Sequence, residues 1–450
     1  MAERKLIGMF RQIPSLLLLL LSSGFVRADE PIHIAERFAA GDQCHVSCRV
    51  EITGTLTPQQ EKAKESKPLP VKGDSAIEYD ERVLTVDSSG TVQKTARIYR
   101  RIDFQRTVGG REQSQTIRPA VRRLVLLRRD NTEVPFSPDG PLTLGEIDLV
   151  RTDVFTPALS GLLPTEGVRR GERWKATAHA VKELTDMERI EEGGLECALE
   201  EVTSLKVNGQ ARRQARIAFA GTVRGINEDG PNRQHLEGYL YFDLESNHLS
   251  YLTLKGAHSL LDKQGKEIGR IEGRFTLTRQ TRQRNKDLTD DALRGVTLEP
   301  NADNTLLLYD NPELGVRFIY PRRWRIAGEQ DRQITLDTAG GNGLLLTLES
   351  TSNAPTAAQY LKESRDWLAK QKAKIAREEP PRSLRAGNDQ LDRFALELEV
   401  SGQKLLMDYL LIRQPTGGAT IAARLLPQDL AAVRDEVERI AKSVVITKRK

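Results

Sequence analysis

Aromatic side chains are scarce in this chain, at 5% of 450 residues, and cysteine is scarcer still, with three. The first shortage means that the cores must rest on Leu, Val, Ile and Ala. The second excludes a disulfide-stapled scaffold. A mean hydropathy of −0.47 excludes a multi-span membrane protein. Charge of one sign is also lacking. A net charge of +5 spread over the whole chain is not the clustered basic face of a nucleic-acid binder, so no nucleic-acid partner is expected. What is present is 38% hydrophobic and 29% charged residues, enough to bury a sizeable core in two or three domains.

The N-terminus carries the most specific signal. Arg4, Lys5 and Arg11 precede an unbroken leucine run, Leu16 to Leu21, and Val26-Arg27-Ala28 forms a small-x-small cleavage pattern before Asp29. The apolar run is about a dozen residues, too short for a permanent helix across a hydrocarbon core about 30 Å thick. We therefore expect residues 1–28 to be a signal peptide. The mature chain is then exported, periplasmic or extracellular, with no permanent transmembrane segment. No cysteine lies at the cleavage point for a lipid anchor.

In an oxidising compartment three cysteines predict one disulfide and one leftover thiol. Cys44 and Cys48 on one strand would share a face about 13 Å apart at ~3.3 Å per residue, too far to bridge each other. A bond from either one to Cys197 remains open.

Val46, Cys48, Val50 and Ile52 alternate with His45, Ser47, Arg49 and Glu51, a strand pattern. Residues 58–73 are rich in Lys, Glu, Gln and Pro and read as a loop. Strands follow over 77–86, 91–104 and 115–127, then a Pro/Gly-rich connection over 130–172 with a short buried helical turn at 159–164. From Trp174 the pattern is a run of antiparallel strands, 174–183, 194–207, 210–223, 234–243, 248–261 and 267–279. The Asn208-Gly209 pair between two of them is a hairpin signal. No internal repeat is visible. The polar stretch 280–304 reads as a linker. Beyond it lie short strands, an amphipathic helix over 356–375 built on Leu361, Leu368 and Ile375, three more strands, and a final helix whose face is Leu430, Val433, Val437, Ile440 and Val444.

Gly315-Val316-Arg317-Phe318-Ile319-Tyr320-Pro321-Arg322-Arg323-Trp324 resembles the opening of PsbP-like domains, where a first strand runs into a Tyr-Pro-x-x-Trp turn. The resemblance covers about residues 305–447. It implies an α/β/α sandwich used in binding and assembly. The long antiparallel strands before it are similar in architecture to LolA-like half-barrel carriers, which shelter an apolar ligand. The expected fold class is α+β: a mostly antiparallel β domain over 29–279 (a curved sheet or half-barrel), the linker 280–304, and a PsbP-like α/β/α sandwich over 305–450.

Few residues suggest chemistry. Cys44-His45-x-x-Cys48 offers three soft ligands, but no second ligand cluster follows, and a strand would turn His45 away from both thiols. None of the six histidines forms a His-Glu-x-x-His pair, and no Gly-x-Ser-x-Gly elbow exists. No catalytic residue, metal ligand or cofactor is expected. The most biased segment runs from Arg97 to Arg129, with ten arginines against Asp103 and Glu112. Arg97, Arg100, Arg101, Arg118, Arg122, Arg123, Arg128 and Arg129 form a candidate anion-binding surface, for an anionic lipid, a glycan or an acidic protein face. The sequence thus predicts an exported, non-enzymatic binding or assembly protein of the cell envelope, with a protein or other envelope component as partner. The alternatives are a carrier of a lipid or other apolar ligand in the first domain, and an envelope hydrolase.

Overall fold

A computed structural model of the chain describes residues 30–57, 67–129, 132–207, 210–281, 284–400 and 402–447. The expected signal peptide, 1–28, and the Asn208-Gly209 turn lie outside the described residues.

The protein is built mostly of antiparallel strands in open sheets. In chain order they are β1 Gln43–Leu56, β2 Leu69–Val86, β3 Val92–Val108, β4 Arg111–Thr116, β5 Arg123–Arg129, β6 Thr132–Phe136, β7 Leu142–Thr143 and β8 Arg173–Lys175. Then come β9 Arg189–Gly193, β10 Glu196–Val207, β11 Gln210–Asn227, β12 Gly230–Asp243, β13 His248–Leu261 and β14 Glu267–Gln280. The last ten are β15 Leu307–Asn311, β16 Val316–Tyr320, β17 Trp324–Gln330, β18 Gln333–Thr338, β19 Gly343–Glu349, β20 Lys374–Arg385, β21 Gln390–Val400, β22 Gln403–Gln414, β23 Gly417–Leu425 and β24 Val445–Ile446. The helices are α1 Leu144–Arg151, α2 Ala178–Thr185, α3 Asp290–Leu293, α4 Ala357–Lys370 and α5 Leu430–Ser443.

Thirteen strands form the largest sheet, with the main order β6-β5-β3-β2-β1-β14-β13-β12-β11-β10-β8. Its strands alternate as the sequence does. Cys44, Val46 and Cys48 of β1 face inward, in phase with Ile77 and Tyr79 of β2 and Leu277 of β14. This inner face is filled by the chain's own segment 142–187: Ile147, Leu149, Leu159, Leu162 and Val181 join the strand residues in one core cluster. The sheet's other face is open to solvent across β8 and β10 to β14.

Two helical details set that filling. Thr143 and Glu146 form a capping box that starts α1. Residues 178–185, expected to continue a strand from Trp174, are instead helix α2. The Thr177 hydroxyl accepts from the amide of Ala180, and Ala180, Val181 and Thr185 are buried as one helical stripe. The expected helix over 356–375 ends earlier, at Lys370, and Ile375 lies on β20. The three cysteines are free and buried, so the expected disulfide is absent. Cys197 on β10 is five strand spacings from β1, about 24 Å along the sheet at ~4.8 Å each.

Of the expected linker, 280–304, residues 285–288 lie against the large sheet. The Asn285 side chain donates to Asp80 Oδ2 (2.7 Å), Arg82 donates to the Leu288 carbonyl (2.6 Å), and Leu288 is fully buried. Beyond it, β7, β15, β16 and β24 make a small sheet in which β7 runs parallel to β15, Leu142 opposite Leu307. Arg322 donates to the carbonyls of Thr305 (2.8 Å) and Pro135. The core cluster therefore runs without a break from Ile34 to Ile446.

The third sheet has the order β17-β18-β19-β23-β22-β21-β20. Along β22, Tyr409 and Leu411 pack with Leu361 and Leu368 of α4. Leu410 and Ile412 belong with Val433, Val437 and Ile440 of α5. Tyr320 and Trp324 are buried in the Tyr-Pro-x-x-Trp turn, and the Trp324 indole donates to Glu436 of α5 (2.8 Å). Among the described residues no helix is long and apolar enough to cross a membrane.

Candidate functional site

The eight arginines singled out by charge density are not all at the surface. Arg97 is 1% exposed and sits inside the core, where its position on β3 is in phase with Tyr99. Arg100 reaches Asp80 Oδ2 through Nε (2.9 Å) and Nη2 (2.8 Å), and Arg101 reaches Asp103. Arg118 grips Glu146 with two donors at 2.7 Å. Arg122 donates to the Arg100 carbonyl (3.4 Å), Arg123 pairs with Asp139, and Arg128 pairs with Glu133 (3.2 Å) and Glu183 (2.6 Å). Arg129 ends β5 opposite Thr132. Much of the segment's charge is thus met by carboxylates of the same chain.

Arg97 belongs to a cluster that sequence spacing did not reveal. Its Nε donates to Glu81 Oε2 (2.6 Å), and its Nη1 donates to Asp153 Oδ2 (2.7 Å) and Tyr99 Oη (3.2 Å). The guanidinium lies 4.3 Å from the Tyr79 ring centroid. Cys48 contacts Asp153 Oδ1 (3.9 Å), and Cys44 contacts Glu81 Oε1 (4.0 Å). A second pair, Arg279 and Glu36 (2.5 Å), lies beside Cys44. Burial pushes the Asp153 carboxyl up to about 7 against the pull of Arg97, and pushes the Cys44 thiol up to about 11. Carboxylates, a thiol and tyrosines with raised pKa values are the ingredients of acid–base chemistry. Here they are sealed. Glu81 and Arg97 are 1% exposed, the Asp153 side chain is 0% exposed, and none of the surface recesses described below is lined by them. The cluster ties the segment after α1 to the sheet. Its sequence signal was charge in the apolar phase of a strand, since Glu81 follows Ile77 and Tyr79 at every second position of β2.

Access lies elsewhere. On the open face of the large sheet a trough of about 670 Å³ crosses β8 and β10 through β14. Its floor is small: Ala198 pairs with Ala218, and Ala220 follows two residues on. One wall is aromatic. The Tyr239 ring lies 5.6 Å from that of Tyr241 and 6.0 Å from that of Tyr251, and the Arg216 guanidinium lies 4.4 Å from its centroid. The other wall is a cross-strand row of charge, Glu237, Lys255, Arg274 and Glu51, which continues into a second recess of about 420 Å³ beside His235 and Glu272. Arg173 and Arg216 are paired with Glu196 and Glu200.

A third recess, about 540 Å³, lies on the seven-stranded sheet beside α4. Leu345, Ala422 and Met407 form its floor, Tyr360 and Trp367 its helical wall, and Arg424 stands at its edge. Trp367 is 56% exposed, the most exposed of the large hydrophobic side chains among the described residues. Cys44, His45 and Cys48 do not converge: both thiols point into the core, while His45 Nδ1 lies 2.9 Å from Asp80 on the other face. Among the described residues no group of three metal-ligating side chains occurs.

No family model and no curated protein matches the chain. Among solved structures it is similar to cyanobacterial PsbP (CyanoP) from Synechocystis sp. PCC 6803, at 11% identity and a TM-score of 0.26, over 31% of this chain and 92% of that one. It is similar to lipovitellin at 8% identity and a TM-score of 0.31, over 55% of this chain; the match spans 26% of lipovitellin. A Pseudomonas aeruginosa protein of unknown function matches at 11% identity and a TM-score of 0.18, over 30% of this chain and 91% of that one. These are weak likenesses of fold. The class that the strands define is a β-rich protein of open antiparallel sheets.

Proposed function

We propose that this chain is an exported, non-enzymatic binding or assembly protein of the cell envelope. Its two parts are an antiparallel β domain, 29–279, and a PsbP-like α/β/α sandwich, 305–450, joined by 280–304. The observation that carries the reading is the contrast between the sealed carboxylate cluster around Arg97 and the solvent-open trough beside Tyr239 and Tyr251. The carboxyls and tyrosines gathered around Arg97 are out of reach, while a recess of ligand-binding size, with aromatic and charged walls, is open. The leader supports export. The helices against both faces of the seven-stranded sheet support the sandwich.

The test is native mass spectrometry of the mature chain recovered from the envelope of the producing cell, beside an Ala218→Trp variant that fills the trough floor. A bound component lost from the variant supports the reading. A component retained by the variant, a bare chain in both samples, or a chain that keeps Met1 and stays in the cytoplasm overturns it.

A further inference from the structure

The third recess is a different kind of site from the trough, and its chemistry names its ligand. Helix α4 covers only part of its face of the seven-stranded sheet. Its packing partners are on β20, β21 and β22, through Leu361 and Leu368 against Phe394, Leu396 and Leu411. From Tyr409, which packs under the helix, the same face continues on the neighbouring strands as a row, Ala422, Leu345 and Thr335, beyond the α4 residues of that cluster. The recess between that row and α4 is apolar, and its wall ends in the exposed indole of Trp367. The indole extends the apolar surface that the recess offers to a ligand.

The charges at the edge are uneven. Asp337 lies two strands from Arg424 on the next row, and it is held by Arg325, which keeps its carboxyl below the usual range. Arg424 donates to the Gly341 carbonyl (3.0 Å) and meets no carboxylate among the described residues. Among the described residues Arg424 is also the only cation lining the recess. About 540 Å³ falls within the range of small-ligand sites, about 300–1,000 Å³, and is narrow for a helix about 10 Å across. One planar guanidinium matches one carboxylate in a bidentate fork.

We propose that this recess is a binding site for a single-chain fatty acid, its alkyl chain lying over Leu345, Ala422 and Met407 against Trp367 and its carboxylate on Arg424. The site stands on these residues alone and does not depend on the trough. Glu363, exposed on α4 and also lining the recess, opposes the head-group charge and limits affinity.

The test titrates the mature full-length chain with dodecanoate, below its micelle concentration, following tryptophan emission and heat. The expected result is saturable one-to-one binding with a blue shift that Trp367→Phe removes while heat of binding persists. Arg424→Gln weakens dodecanoate about tenfold, the worth of one charge-assisted contact, and leaves dodecanol unchanged. Glu363→Gln strengthens dodecanoate. Arg424 and Glu363 are exposed, so neither substitution threatens folding. No saturable heat, equal affinity of wild type and Arg424→Gln, or tighter binding of dodecyltrimethylammonium or of a lysophosphatidate overturns the proposal. A component retained by Ala218→Trp overturns the trough reading and leaves this one standing, so the two readings fail separately.

Discussion

Arg97 and Glu81 meet at 2.6 Å with neither side chain more than 1% exposed, and Asp153 closes on the same guanidinium from the opposite side at 2.7 Å. Two carboxyls thus depend on one cation. Arg97→Leu leaves both facing an apolar core, at a cost of about 3–5 kcal/mol. The urea midpoint of the variant is expected to fall accordingly. Adding Glu81→Leu and Asp153→Leu is expected to restore most of the loss, because an ion network replaced by apolar groups of similar volume is often neutral. A single variant as stable as wild type would contradict the buried network.

The same cluster predicts a pH dependence. Asp153 holds its proton up to about pH 7 in the folded chain because of burial, whereas an unfolded aspartate gives it up near ~3.9. A raised acid stabilises fully below the unfolded value, and that contribution is lost as pH rises through the folded one. The stability difference between wild type and Asp153→Asn is therefore expected to shrink from about pH 4 to about pH 7. Arg97, Tyr99, Glu81, Glu133 and Cys48 all face Asp153 and set the slope's exact position. His248, lowered to about 4 by burial, works the other way: its contribution is full above its ordinary value and is lost on acidification. The difference curve, not the wild-type curve, isolates Asp153. Urea midpoints of both proteins between pH 4 and pH 8 decide it, and parallel curves would refute the assignment.

The cysteines give a simple chemical count. Burial pushes Cys44 up to about 11, Cys197 up to about 12 and Cys48 well above the ordinary thiol. Ellman's reagent at pH 8 is expected to find essentially no reactive thiol in the native protein and three after unfolding without reductant. One thiol after unfolding would mean that a disulfide exists.

Much of the fold could be read from alternation. The phase of Cys44, Val46 and Cys48, the strands on either side of Asn208-Gly209 and the apolar face of α5 all appear where the pattern puts them. Three places resisted. Residues 174–183 alternate well enough for a strand, but the Thr177 hydroxyl caps a helix that alternation cannot detect. The strand β20 carries Pro380 and Pro381, which argue against a strand unless it is an edge, and β20 is an edge. The ionic cluster joins residues 16 and 56 positions apart. No local motif marks it, only charged side chains standing in the apolar phase. The open recesses were less legible still. The trough depends on which of six strands are neighbours, and the recess beside α4 depends on how little of its sheet the helix covers.

The parallel pairing of β7 with β15 has a consequence for how the molecule is made. Leu142 emerges from the ribosome long before Leu307, its partner 165 residues further on. Until then the filling of the large sheet ends in a two-residue strand with nothing beside it, and the Pro135 carbonyl lacks Arg322. A nascent chain halted before residue 307 would hold a nearly complete sheet with its last seam undone. Completion is a late, long-range closure of the kind that slows folding.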